Sequence, residues 1–97
     1  MLREKIGDAA MLEQLAEECT ELAQASLKFA RALRNENPVH KNPDEIIDNW
    51  HEELADVMLC IGELNTGKTE TEVENWIEYK QKRIRERFKN ADNRNVN

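Results

Sequence analysis

The chain has 97 residues, 39% hydrophobic and 35% charged, which fits one small folded domain and excludes a long disordered chain. Three Gly and two Pro leave too little turn punctuation for an all-β fold, so long helices are predicted. The net charge of −6 argues against a nucleic-acid polymer as partner, because that binding depends on clustered Lys and Arg that neutralise phosphates; an anionic small ligand would need cations between it and the protein.

Leu2 and Ile6 suggest a short leading helical turn, broken at Gly7 before Asp8 offers an N-cap. The first long helix then runs to about Arg34. Its apolar stripe is Leu12, Leu15, Cys19, Leu22, Ala23, Ser26, Ala30 and Leu33, at the spacing one helix face demands. Asn35 to Pro43 reads as a loop, and Asn42, Pro43 and Glu45 match a cap, a first-turn proline and a third-position acid. A second helix follows with Ile46, Ile47, Trp50, Leu54, Val57, Met58, Ile61 and Leu64 as its stripe. Gly62 inside it would permit close helix approach, and Asn65, Thr66 and Gly67 end it before a left-handed residue. Thr69 with Glu72 forms a capping box for a third helix, which carries Val73, Trp76, Ile77, Ile84 and Phe88 to about Lys89. The expected organisation is one all-α domain over residues 1–90 and a polar, frayed tail over 91–97.

No stretch approaches the roughly 20 apolar residues of a membrane span, and Met1 to Ile6 is charged where a signal peptide is apolar. A cytoplasmic protein without a membrane partner is expected. Cys19 and Cys60 form no CxxC pair or dense framework and are expected as reduced thiols. A chain this short buries only about two thirds of its unfolded surface, so its helices gain by sharing a core with another copy.

The chemistry-bearing pattern is acidic. The first long helix holds Glu17, Glu18 and Glu21 in EECTEL, and the second holds Glu52, Glu53 and Asp56 in EELADV. At 100° per residue, Glu18 and Glu21 lie roughly 80° and 140° from the centre of their stripe, and Glu53 and Asp56 roughly 70° and 130° from theirs, in the same rotational sense. Each helix therefore carries a carboxylate pair on one shoulder, beside small residues (Ala25, Ala55) that leave room. Facing shoulders would bring four or five carboxylates together, a repulsive arrangement that divalent cations offset. Oxygen-only ligands select a hard ion, Mg²⁺ or Mn²⁺, over Zn²⁺. A di-iron bundle would use Glu-x-x-His, and the nearest approach, Asp48 with His51, points away from the apolar face. Because Mg²⁺ binds through few carboxylates plus substrate phosphates, the pattern reads as a site for a nucleotide triphosphate. Against this stands the plain reading of both pairs as solvated surface charge.

EExxE on one helix followed by ExxD on the next resembles the MazG-like, all-α nucleoside triphosphate pyrophosphohydrolase family. The surrounding LAEECTELAQASLKFARAL and EELADVMLCIGEL look like that family too, and the likeness spans about Asp8 to Arg87. The resemblance implies a three-helix subunit in an oligomeric, four-helix-bundle type of assembly, a homodimer or homotetramer. It implies Glu18, Glu21, Glu53 and Asp56 as Mg²⁺ ligands, with Glu17 as a further ligand or water-positioning base. The stretch of roughly thirty residues between Glu21 and Glu53 is long for the family, and the Asn35 to Pro43 loop absorbs it.

In the third helix Lys80 interrupts the apolar stripe, with Arg83 and Arg87 on its flank. Either these side chains lay their stems on apolar surface and send charge to water, or they reach toward phosphates. The family places a Lys and an Arg in this region for phosphate, which implies Lys80 and Arg83 as substrate-binding residues. Trp50, Trp76 and Phe29 could stack on a base but read first as core; His40 and His51 read as solvated. There is no Gly-rich phosphate loop, no Ser-His-Asp order and no activated cysteine environment. Three functions are thus open: an Mg²⁺-dependent enzyme that cleaves a nucleoside triphosphate between the α and β phosphates, a hydrolase of another pyrophosphate-linked metabolite that uses the same metals, or a non-catalytic acidic module whose apolar faces bind another helix.

Overall fold

Gly7 sets where the first long helix begins. Its φ of +87° lies in the region that favours glycine. Its N–H donates to the Arg3 carbonyl at 2.8 Å, and its own carbonyl accepts from the Met11 N–H at 3.1 Å. A computed structural model describes residues 2–36 and 42–95. Among them the helices are α1 (Leu2–Ile6), α2 (Asp8–Leu33), α3 (Pro43–Leu64) and α4 (Gly67–Asn95), with no strand. The fold is all-α. The chain divides into two units, Met1–Leu64 and Asn65–Asn97.

In the first unit, Gly7 rather than Asp8 occupies the N-cap position of α2. Asp8 is the first helical residue, and its carboxylate accepts from Arg3 Nε at 2.7 Å, which takes it out of the capping role expected for it. Arg3 reaches further: its guanidinium donates to the Glu63 and Leu64 carbonyls at 3.5 and 3.3 Å, satisfying open acceptors at the end of α3. In return the Glu63 carboxylate accepts from the Leu2 and Arg3 backbone N–H groups at 3.2 and 3.4 Å. The short N-terminal helix and the end of α3 cap each other.

α2 closes in a Schellman turn. Asn35 adopts φ +56°, its N–H donates to Ala32, and the Glu36 N–H donates to Arg31 at 2.9 Å. The start of α3 follows the sequence expectation: Pro43 opens the helix, and the Asn42 side-chain oxygen accepts from the Asp44 N–H at 3.0 Å.

α2 and α3 run antiparallel, because Ser26 meets Trp50 while Glu21 and Glu18 meet Glu53 and Asp56. Their seam buries Met11, Ala25, Ile46, Val57 and Cys60, with Leu15, Leu22, Phe29, Trp50, Leu54 and Leu64 half-buried around them. Full burial of a Met, Ile or Val side chain is worth about 1.5–3 kcal/mol, so this small core is the main adhesive of the hairpin. Several residues assigned to the stripes lie outside it. Leu12, Leu33, Met58 and Ile61 are exposed, as are Cys19 and Ala23. Gly62 is also exposed, and a Cβ built on it meets nothing within 4 Å, so it mediates no close approach.

The second unit is the helix α4. It starts earlier than the expected Thr69–Glu72 box, because Thr66 is the working cap. Thr66 Oγ1 accepts from the Thr69 N–H at 3.2 Å, and its carbonyl accepts from the Glu70 N–H at 2.8 Å. Gly67 accordingly opens a helix rather than ending one in a left-handed conformation; among the described residues the positive-φ glycine is Gly7. α4 continues past Lys89 to Asn95, further than expected. A single helix buries little, and Val73, Trp76, Ile77, Ile84 and Phe88 are all exposed. Among the described residues no helix is long and apolar enough to cross a membrane.

A candidate metal centre of four carboxylates

The inward face of α2 is rotated by roughly 60° from the stripe read in the sequence. It is set by Met11, Leu15, Leu22, Ala25 and Phe29. Measured at 100° per residue against these positions, Glu18 falls near the middle of the inward face rather than roughly 80° off it. The same holds in α3, where Ile46, Trp50, Val57, Cys60 and Leu64 define the seam and Glu53 falls between Trp50 and Val57. Glu18, Glu53 and Asp56 are half-buried, and Glu21 is exposed at the edge. The two pairs therefore meet in and beside the seam. Of the small residues expected to leave room, Ala25 is buried and Ala55 is exposed.

One carboxylate oxygen from each of Glu18, Glu21, Glu53 and Asp56 lies within 4.8 Å of the other three. Glu18 Oε2 and Glu53 Oε2 are buried and have no hydrogen-bond partner, an arrangement that folded proteins ordinarily avoid. The electrostatics respond accordingly. The Glu18 carboxyl is raised above its ordinary value, first by desolvation and then by the charges of Glu21 and Asp56; the Gln14 amide works against the rise. Gln14 Nε2 donates to Glu18 Oε1 at 2.7 Å. The Glu21 carboxyl is raised chiefly by the neighbouring Glu53 carboxylate, through hydrogen bonding and charge repulsion, with desolvation adding to it.

These donors can hold a metal ion, and their chemistry favours a hard one. Four carboxylates in one small volume suit Mg²⁺ or Mn²⁺. The nearby Cys60 thiol does not alter this choice, because burial first, and then the Glu18 and Asp56 charges, raise its pKa and keep it protonated at neutral pH. His51 is exposed and sits edge-on to Trp50 at 5.4 Å, outside the carboxylate group.

The other candidate residues fall in several places. Glu17 is exposed and is not one of the clustered four. Lys80 and Arg83 are on α4, where they line a shallow groove with Ile84 and Arg87, and the Arg83 guanidinium lies 5.8 Å from the centre of the Tyr79 ring. Trp50 is half-buried and packs edge-on against Phe29 at 5.7 Å, while its indole N–H donates to Ser26 Oγ at 3.0 Å. Trp76, expected in the core, is 60% exposed. His40 lies outside the described residues. Gln14 joins the four carboxylates without carrying charge, and its place one helical turn before Glu18 is its signal in the sequence.

No family model, curated protein or solved structure matches the chain.

Proposed function

We propose that the protein is a divalent-cation-dependent pyrophosphohydrolase of nucleoside triphosphates. It adds water across the α–β phosphate bond and releases a nucleoside monophosphate, pyrophosphate and a proton. The observation that carries this reading is the group of four carboxylates with two buried, unpartnered oxygens, which a hard cation would satisfy. The resemblance of EECTEL and EELADV to the MazG-like family supplies the reaction class.

In this reading Glu18, Glu21, Glu53 and Asp56 hold Mg²⁺, with Mn²⁺ as a substitute. A hard ion held there would neutralise phosphate charge and make a bound water more acidic at neutral pH. Glu17 is assigned as the further acid that orients water, and Lys80 and Arg83 as cations for the leaving phosphates. The protein would act as a homodimer or homotetramer in the cytoplasm, clearing or limiting nucleotides. The exposed Leu12, Met58, Leu59 and Ile61 offer apolar area for a second copy to cover.

The same exposed residues favour a second reading, a non-catalytic acidic module that docks another helix. Phosphorus NMR of the protein with a mixed pool of ribo- and deoxyribonucleoside triphosphates and Mg²⁺ separates the two. The enzyme reading expects pyrophosphate and monophosphates from the wild type and none from Glu53→Gln. Orthophosphate with diphosphates would show the wrong bond cleaved. Absence of turnover across the pool, with no response of the melting temperature to Mg²⁺, would favour the docking module.

A further inference from the structure

Gln14 lies one turn before Glu18 on α2 and is half-buried on the same inward face. Its amide Nε2 donates to Glu18 Oε1 at 2.7 Å, so Oε2 is the Glu18 oxygen left buried without a partner. A carboxylate tethered through one oxygen turns less freely than an untethered one. A carboxamide donor also favours the ionised form without adding charge to a crowded acidic site.

We propose that Gln14 is a positioning residue that fixes the Glu18 carboxylate for a divalent cation. The inference rests on the metal-centre reading above. Hydrogen bonds from outside the ligand set commonly orient metal-binding side chains, and losing one weakens metal affinity by about 10–100-fold. The competing role is an ordinary pairing of side chains four residues apart, which supports the helix and nothing else.

The two roles separate in a Mn²⁺ titration of the full chain by calorimetry, paired with ion-free thermal melting followed by circular dichroism. Gln14→Met keeps the length of the side chain and removes the donor; Gln14→Ala is a second variant should the first pack badly. The expected result is a Mn²⁺ Kd about tenfold higher, with ion-free melting lowered by no more than the loss of one partly exposed hydrogen bond allows. A Kd within about twofold of wild type would overturn the role of Gln14 while leaving the centre in place. Ion-free melting lowered in both variants with the Mn²⁺ Kd unchanged would make Gln14 a structural residue. A folded wild type that takes up no Mn²⁺ would remove the centre itself, and Gln14's role with it.

Discussion

Less than one helical turn separates two ways of handling polar atoms in the α2–α3 seam. At Trp50 the indole N–H is matched by Ser26 Oγ, and the ring is braced edge-on by Phe29. At Glu53, three residues on, a carboxylate oxygen is buried with nothing to accept from, and Glu18 repeats the condition from the opposite helix. An unmatched buried polar atom is destabilising, the more so when it is charged. The aromatic stretch thus supports the fold, and the acidic stretch carries an electrostatic cost that a hard cation would relieve.

The largest effect should come from Glu53→Gln. It removes one of the two orphaned carboxylates, so Mn²⁺ affinity should fall by at least about tenfold and turnover of the triphosphate pool should vanish, while ion-free melting holds or rises. A variant that still gains melting temperature on adding Mg²⁺ would erase the contrast between the two stretches. Trp50→Ala should do the reverse. It should cost about 2 kcal/mol, less than the roughly 3–5 kcal/mol of a fully buried aromatic, and lower the melting temperature equally with and without Mg²⁺.

The pH profile sharpens the same contrast. Glu18 and Glu21 are raised above the ordinary 4.5, so folding favours their protonated forms. Their contribution is full below about pH 4.5 and is lost as pH rises through the raised values. In the absence of divalent ions, the melting-temperature difference between wild type and Glu21→Gln should therefore grow to the wild type's disadvantage from about pH 4.5 to pH 7. Mg²⁺ should shrink it at the upper end. A difference independent of pH would mean the carboxylates do not share a site. The smallest effect belongs to Ser26→Ala, which strands the Trp50 N–H and should cost about 1 kcal/mol in chemical denaturation with no change in Mn²⁺ affinity.

Much of this was legible in the chain itself. The Asn42–Pro43 cap, the break at Gly7 and the pairing of the two acidic runs follow from local chemistry and periodicity. The rotation of the helices does not. Each of α2 and α3 is apolar over more than half its circumference, so averaging Leu12, Leu15 and Cys19 gives a centre between the covered face and the uncovered one. Only the antiparallel packing shows that Met11 and Ala25 are inside and Leu12 outside, and this moves Glu18 and Glu53 from the shoulder into the seam. The start of α4 differs from the sequence expectation for a related reason. Thr66 and Thr69 are both good caps three residues apart, and the sequence does not rank them.

The two cysteines give the molecule a built-in clock and its reference. Cys19 is exposed beside Glu18, while Cys60 is buried in the same seam, its thiol held protonated by its surroundings. An alkylating reagent added in excess should label Cys19 at the rate of an open surface thiol and Cys60 only when α2 and α3 part. The ratio of the two labels reports how often the hairpin opens, without a mutation or an attached dye. A ligand that ties the four carboxylates together would register as a slowing of the second label alone.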